Sequence, residues 1–260
     1  MDFSEHVAAI RMEGAALSRA ATAAGLDAGV PGCPDWQVAD LVAHVGRLHR
    51  WVTSMVEESP SGGPELFGGI AVPAATELLD WFEHGVEPLA AALEGAGAEA
   101  EVWSWTDDRT AGFWARRQAH ETALHRWDAE SAVPTAGPAG GSGGEVHGPV
   151  SGSAAPFDAD LAVDGIDEAF DMLPYRPGTS ALSGTGETIH LHCTDAHGEW
   201  LLRLGVSGVE ITREHAKGDV AARGRASDLL LLVYGRLPAA EVETFGDAGL
   251  LAKWQREARF

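Results

Sequence analysis

Apolar residues recur at helical spacing through the first half of the chain and predict four helices. The predicted segments are Asp2 to Ala24, about Trp36 to Glu57, about Pro73 to Leu93, and a segment that follows Gly112 and ends near Ser131. Gly25 offers a stop for the first helix, and Asp35 is positioned to cap the second. Four such helices predict a four-helix bundle.

Two histidines of the second predicted helix differ in their position relative to its apolar face. With Leu41 as the reference and about 100° per residue, the apolar side chains of this helix occupy one broad arc. His49 lies inside that arc and His44 at its edge, so the pattern predicts that His49 is the more buried imidazole. The periodicity alone does not decide which of the two binds a ligand.

A segment rich in Gly, Pro and Ser separates the helical half from a second half with a different pattern. Residues 135–156 have little to bury and predict a linker, which places one domain at 1–134 and another at 157–260. The second domain is predicted to begin with a helix and to continue with strands of alternating apolar and polar residues. These segments are Asp158 to Leu173 for the helix, and Thr188 to Cys193, Glu199 to Leu204, Val209 to Arg213 and Asp219 to Arg225 for the strands.

The end of the chain predicts two further helices. Ser227 can cap a Leu-rich helix from Asp228 to Tyr234, and Asp247 can cap a last helix that ends near Arg259. The short turns between the predicted strands favour an antiparallel meander. The expected fold is therefore an α-helical bundle followed by a small α+β domain with an antiparallel sheet.

Composition and charge exclude several classes of partner. A chain of 260 residues with 45% hydrophobic content can form two cores. Its formal net charge of -21 is the opposite of what binding to nucleic acid or anionic lipid requires, which favours a small-molecule partner.

Met1 to Leu26 has charged residues at helical spacing and no uninterrupted apolar run, so it predicts neither export nor a membrane span. The two cysteines, far apart in sequence, favour a reduced cytoplasm over a disulfide.

The fourth predicted helix carries more ionisable side chains than a core helix needs. Four of them fall within an arc of about 80°: Arg117, Glu121, His125 and Asp128. Large apolar residues flank or interrupt this polar stripe, namely Phe113, Trp114, Leu124 and Trp127. The stripe is therefore expected on a buried face, where a charge needs a partner or a metal ion.

Glu121 and His125 are one helical turn apart, a spacing that lets both side chains reach one metal ion. An exposed pair on an ordinary helix is the alternative explanation of this spacing. The zincin motif H-E-x-x-H is excluded, because the histidine after His120 follows at five residues instead of four. A metal site then needs a third ligand from another helix, and both His44 and His49 are candidates. Two histidines and one carboxylate leave an open position, as in catalytic zinc sites.

Two stretches of the first half carry a resemblance to a known family. One runs from Cys33-Pro34-Asp35-Trp36 to His44-Val45, and the other from Arg109-Thr110-Ala111-Gly112-Phe113-Trp114 through His120-Glu121-Thr122-Ala123-Leu124-His125 to Glu130. Together they are similar to the mycothiol-dependent maleylpyruvate isomerase family of actinobacteria, which has a DinB-like metal-binding bundle. The second half, from Thr188 through Gly218-Asp219-Val220 to Asp228-Leu229-Leu230-Leu231, resembles the second domain of that family. The resemblance covers nearly the whole chain.

The resemblance implies that His44, Glu121 and His125 bind zinc or another divalent metal, and it favours His44 over His49. It also implies that mycothiol reaches the open position, where the cation favours the thiolate. A transferase would leave the thiol attached to an electrophile. An isomerase would add it to the cis double bond of an unsaturated acid such as maleylpyruvate, allow rotation and release it. Thiol S-transfer is the broader hypothesis, isomerisation is the alternative, and a non-catalytic metal-binding stress or binding protein is the rival from another class.

Five further residues are candidates for the catalytic or cofactor site. Arg117 and Asp128 are positioned to orient a ligand or contact the substrate, and structural ion pairs would explain them equally well. Trp103 and Trp105 precede the fourth helix and are candidates for lining the mouth of a pocket. Arg236 is a candidate contact for a substrate carboxylate, although its position also suits a partner of a helix C-terminus.

Two other features are predicted to have no chemical role. His190 and His192 share one strand face and have a spacing that permits chelation, but a solvated sheet face explains them without a ligand. Cys33 lies between Pro31 and Pro34 in a stiff turn, and the sequence places no base beside it.

Overall fold

The computed structural model of the protein describes residues 1–58, 62–134, 154–176 and 182–258. The chain divides into two compact units, Met1–Ala155 (the N-terminal unit) and Pro156–Phe260 (the C-terminal unit). Most of the predicted linker, residues 135–156, lies outside the described residues, so its conformation stays a prediction. Within the described part of the chain, no helix combines the length and the apolar character that crossing a membrane needs.

The described residues of the N-terminal unit form four long helices, as predicted. They are α1 (Phe3–Ala24), α2 (Val38–Glu58), α3 (Leu78–Ala96) and α4 (Ala111–Ser131). Capping explains where two of them begin: Asp2 and Glu5 form a capping box at α1, and the Thr110 side chain accepts from the Phe113 N–H at α4. Their apolar faces bury residues such as Leu17, Leu41 and Phe82 at the centre of the bundle.

The predicted cap of α2 at Asp35 is wrong. Two short antiparallel strands, β1 (Gly29–Val30) and β2 (Cys33–Gln37), precede this helix, so Asp35 lies within a strand. The helix begins at Val38, and Asp40 accepts from the Gln37 N–H at 2.9 Å. This difference moves Trp36 out of the helix and into β2.

Helices α2 and α4 run antiparallel, and two pairs of residues show it. His44 Nε2 lies 3.1 Å from Glu121 Oε1, and the rings of Trp51 and Trp114 lie 5.6 Å apart. His44 and Trp51 are seven residues apart on α2, and Trp114 and Glu121 are seven residues apart on α4. Seven residues correspond to about 10 Å at 1.5 Å per residue. The bundle therefore has a polar level and, about two turns away, an aromatic level.

The described residues of the C-terminal unit form a five-stranded sheet and three α-helices. In chain order the elements are α5 (Ala159–Met172), β3 (Thr188–Cys193), β4 (Glu199–Gly205), β5 (Gly208–Thr212), β6 (Val220–Gly224), α6 (Ala226–Val233), β7 (Glu243–Gly246) and α7 (Ala248–Glu257). The strand order is β5-β4-β3-β6-β7. The α+β class and the four predicted strands are confirmed, while β7 was not predicted.

The predicted meander is wrong at β6. This strand pairs parallel with β3, whereas the other three pairings of the sheet are antiparallel. Short turns join β3 to β4 and β4 to β5, but the longer connection between β5 and β6 carries the chain to the far side of β3. A parallel pair requires such a crossover.

The two predicted caps of the last helices differ in outcome. Asp247 caps α7 as predicted, because its side chain accepts from the Gly249 N–H at 2.9 Å. The cap assigned to Ser227 is wrong, since α6 already begins at Ala226. The Ser227 hydroxyl instead accepts from the Phe157 N–H at 3.1 Å. The serine thus ties the start of the C-terminal unit to α6.

Candidate metal centre

The polar stripe of α4 is a continuous chain of contacts. Arg117 donates to Glu121 one turn later, and Glu121 Oε1 lies 3.3 Å from His125 Nε2. His125 Nδ1 lies 3.0 Å from Asp128 Oδ2, and the Asp128 side chain is fully buried. Each of the four residues that periodicity placed on one face therefore contacts the next one along the helix.

His44 joins this chain from α2. Its Nε2 lies 3.1 Å from Glu121 Oε1, the same oxygen that faces His125. One ligand atom each from His44, Glu121 and His125 lies within 4.8 Å of the others. The three residues that the family resemblance implied as metal ligands are thus close enough to share one ion.

The electrostatics of this cluster favour a positive charge between its carboxylates. Burial opposes ionisation of Glu121, but the Arg117 guanidinium and the two imidazoles hold its pKa well below the ordinary value. Burial also lowers the pKa of His125, but hydrogen bonds to Asp128 and Glu121 outweigh it and raise the pKa to about 9. The carboxylates of Asp128 and Glu121 would stabilise a metal cation at His125 as they stabilise a proton there.

Asp128 lies behind the cluster and orients His125. Its carboxylate is hydrogen-bonded to Nδ1 of the imidazole, which leaves Nε2 facing Glu121 and His44. A carboxylate behind a metal-binding histidine is the usual arrangement, because it fixes the ring and raises its basicity. Cys33, in β2, also reaches Asp128, with Sγ at 3.8 Å from Oδ2. Sequence reasoning gave Cys33 no such neighbour, and no local pattern predicts a contact across 95 residues.

Two aromatic rings enclose the imidazoles. Trp36 stacks on His125 with ring centroids 5.8 Å apart and lies 5.0 Å from His44. Phe67 meets the edge of His44 at 5.8 Å, and the Arg47 guanidinium lies 4.7 Å from the Phe67 ring. Sequence reasoning missed both rings: it placed Trp36 in a helix and assigned no element or role to the region of Phe67.

His49 is fully buried, as its position in the apolar arc predicted. Its Nε2 lies 2.9 Å from Thr122 Oγ1, and its ring packs against Phe82. Burial lowers the pKa of His49 to about 3, with a smaller effect from Arg50. This histidine is a neutral core residue and stands apart from the cluster of His44, Glu121 and His125.

Trp103 and Trp105 belong to the aromatic level of the bundle. Trp105 lies 5.1 Å from Trp114 by ring centroids, and the Trp114 indole donates to the Trp103 carbonyl at 2.8 Å. Trp114 is seven residues before Glu121 on α4, or about 10 Å along the helix. Their assignment to a cofactor pocket stays a prediction, and the contacts with Trp114 already explain both residues as packing.

The candidate Arg236 and the two discounted histidines, His190 and His192, lie in the C-terminal unit. Arg236 donates to the Tyr234 carbonyl at 3.1 Å, just beyond the end of α6, and its substrate contact stays a prediction. The expectation that His190 and His192 lie on a solvated sheet face is wrong for His190, which is 6% exposed. His192 is half-buried.

The donor set of the N-terminal cluster fits a divalent transition-metal ion. Two imidazoles and one carboxylate converge from facing helices, and a buried carboxylate supports one of the imidazoles. Nitrogen and oxygen donors of this kind suit zinc and its neighbours, and three protein ligands leave room for another molecule. His44, Glu121 and His125 would hold the ion, while Arg117 and Asp128 would fix Glu121 and His125.

We expect Asp128→Asn to weaken metal binding at this cluster by about 10–100-fold, because the amide cannot supply the negative charge behind His125. Competition with a chromogenic chelator measures the change in affinity. Asp35→Asn, which makes the same change of charge at an exposed position of β2, serves as the control. Equal affinities of the two variants would show that Asp128 has only a packing role.

Comparison with known proteins finds similar domains in both units. The family model "Mycothiol maleylpyruvate isomerase N-terminal domain" matches residues 7–130, and "MDMPI C-terminal domain", the same enzyme abbreviated, matches residues 160–253. No curated protein matches.

Two solved structures share the fold over nearly the full length. A crystal structure of the mycothiol-dependent maleylpyruvate isomerase has a TM-score of 0.61 and 15% sequence identity, covering 94% of this chain and 93% of that chain. A mutant of that isomerase, in which a histidine is replaced by alanine, has a TM-score of 0.60 with the same identity and coverage. At this level of identity the likeness concerns the fold.

Proposed function

Since the chain belongs to the mycothiol maleylpyruvate isomerase family, with both of its domains matched, we propose that it is a metal-dependent enzyme that uses mycothiol. Its reaction is the addition of this low-molecular-weight thiol to an electrophilic small molecule, that is, thiol S-transfer. The observation that carries the proposal is the convergence of His44, Glu121 and His125 within 4.8 Å of one another.

The residues of the N-terminal unit would have separate roles in such a site. His44, Glu121 and His125 hold the ion, for which zinc is the natural candidate given two imidazoles and a carboxylate. When bound, a divalent cation lowers the pKa of a thiol beside it and so supplies a thiolate near neutral pH. Asp128 hydrogen-bonds to His125 Nδ1, Arg117 holds the carboxylate of Glu121, and Trp36 and Phe67 pack against the imidazoles.

Arg47 favours the alternative reaction, isomerisation of maleylpyruvate or a similar unsaturated acid. It lies on α2, one turn after His44, and its guanidinium faces the Phe67 ring at 4.7 Å. Its Nε is buried and, among the described residues, has no hydrogen-bond partner. A substrate carboxylate would satisfy this donor. In that reaction the thiol sulfur adds to one carbon of the cis double bond and a proton to the other, the single bond rotates, and both leave again.

The net fate of the thiol separates the hypotheses. Purified, zinc-loaded protein is incubated with mycothiol and either maleylpyruvate or a haloarene electrophile, and free thiol and products are followed over time. S-transfer consumes one thiol per product, and with the haloarene it also releases one halide ion and one proton, whereas isomerisation converts maleylpyruvate without net loss of thiol. If neither substrate is converted while the ion stays bound, the protein is a non-catalytic metal-binding protein and the enzymatic proposal is wrong.

We also propose a cytoplasmic location. Neither Cys33 nor Cys193 forms a disulfide among the described residues, and Cys33 lies beside Asp128 at the candidate site. A half-buried thiol beside a metal cluster suits a reducing compartment.

A further inference from the structure

Four potential metal ligands meet on one face of the sheet in the C-terminal unit. His190 and His192 alternate with Leu191 on β3 and so project from the same face. Glu199, the first residue of β4, is the direct cross-strand partner of His192. His215 comes from the segment that follows β5. Three separate stretches of the chain therefore bring these side chains together.

The side chains surround the carboxylate of Glu199. His192 Nδ1 lies 2.7 Å from Glu199 Oε1, and His215 Nδ1 lies 2.7 Å from Oε2. The ring centroids of the three histidines lie 5.6–6.1 Å apart in pairs. One ligand atom from each of the four residues lies within 4.8 Å of all the others.

A hydrogen-bond network around Glu199 does not account for His190. The residue is only 6% exposed. Its Nε2 is therefore buried, but it has no hydrogen-bond partner among the described residues. The nearest carboxylate oxygen, Glu199 Oε2, is 3.6 Å away and already receives His215 at 2.7 Å. An unsatisfied buried polar atom costs about 1–3 kcal/mol, so its presence calls for a ligand or another explanation.

The donor chemistry selects the class of ligand. Three imidazole nitrogens and one carboxylate oxygen suit zinc, nickel, copper or cobalt, whereas magnesium and calcium prefer sites made of oxygen. A metal ion would also give His190 Nε2 the partner that it lacks. A cavity of about 470 Å³, lined by His192, Glu199 and His215 among others, gives an ion access from solvent.

We propose that His190, His192, Glu199 and His215 form a second metal site, specific for a divalent transition-metal ion such as Zn²⁺. The site lies wholly within the C-terminal unit. It is independent of the proposed thiol chemistry, because none of its residues belongs to the cluster of His44, Glu121 and His125. The two proposals can therefore fail separately.

The test counts Zn²⁺ bound to the full chain after equilibrium dialysis. We expect two ions per chain for the wild type and one for His44→Ala, which keeps only the C-terminal site. In the His44→Ala background, adding His192→Ala and His215→Ala removes two of the four donors. Zn²⁺ affinity should then fall at least about 100-fold, which is more than the usual loss when a residue that only supports a ligand is removed.

A matched control removes two other histidines in the same background. His84 lies exposed on α3, and His197 is exposed at the wall of the cavity itself. His84→Ala and His197→Ala together should leave the affinity unchanged, while circular dichroism verifies that every variant is folded. The proposal is overturned if His44→Ala binds no Zn²⁺, or if the variant lacking His192 and His215 binds it as tightly as the control.

Discussion

The His44→Ala variant is expected to bind one zinc ion fewer per chain than the wild type and to lose at least about 100-fold of its thiol-dependent activity. His44 supplies the only donor from α2 in the cluster with Glu121 and His125. Without it, two ligands one turn apart on α4 remain, too few for a stable site. Loss of a supporting residue usually costs about 10–100-fold, so loss of a ligand should cost more.

Metal analysis after dialysis and the mycothiol assay measure the two effects. Circular dichroism verifies that the variant is folded, because the side chain of His44 is only 26% exposed and its removal leaves some buried space. His84→Ala, which removes an exposed imidazole from α3, should retain wild-type metal content and activity. If His44→Ala holds as many zinc ions as the wild type, His44 is not a ligand and the proposed centre is wrong.

The helices of the N-terminal unit were predictable because their signals are local. Apolar periodicity located all four, and the stripe from Arg117 to Asp128 proved to be one chain of contacts. The start of α2 was not predictable in the same way. Asp35 has the chemistry of a cap, but the pairing of β2 with β1 takes it into a strand, and Asp40 supports the turn instead.

The third member of the metal cluster shows the limit of periodicity. The apolar arc identified His49 as the more buried imidazole, and it is buried, but its partner is Thr122. His44 lies at the edge of that arc, where a side chain can reach across to α4. Which edge faces which helix depends on how the helices pack, and only the family resemblance supplied that information from the sequence.

The histidine cluster of the C-terminal unit escaped prediction for a similar reason. Alternation placed His190 and His192 on one face, but the direction of that face and the position of His215 depend on tertiary structure. The parallel pairing of β3 with β6 also buries β3 in the middle of the sheet, whereas a meander would have left it at an edge. A central strand explains why His190 is buried.

Arg126→Ala is expected to lower the free energy of unfolding of the N-terminal unit by about 3–5 kcal/mol, the usual cost of breaking a buried ion pair. Arg126 on α4 is 3% exposed and Glu13 on α1 is 6% exposed. The Arg126 Nε lies 2.8 Å from Glu13, and its Nη1 contacts Glu130 at 2.9 Å and donates to the Ala155 carbonyl at 2.6 Å. The variant would leave the carboxylate of Glu13 buried without this cation.

Urea unfolding followed by tryptophan fluorescence measures the effect, because seven of the nine tryptophans lie between Trp36 and Trp127. Arg11→Ala is the matched control: Arg11 also links α1 to two carboxylates, Glu87 and Glu94 of α3, but those side chains are 66% and 52% exposed. Solvent weakens such pairs, so its loss should be much smaller. Replacing the buried pair with Glu13→Leu and Arg126→Met should recover part of the stability, because it removes both charges together. Equal losses for Arg126→Ala and Arg11→Ala would show that burial does not strengthen the α1–α4 link.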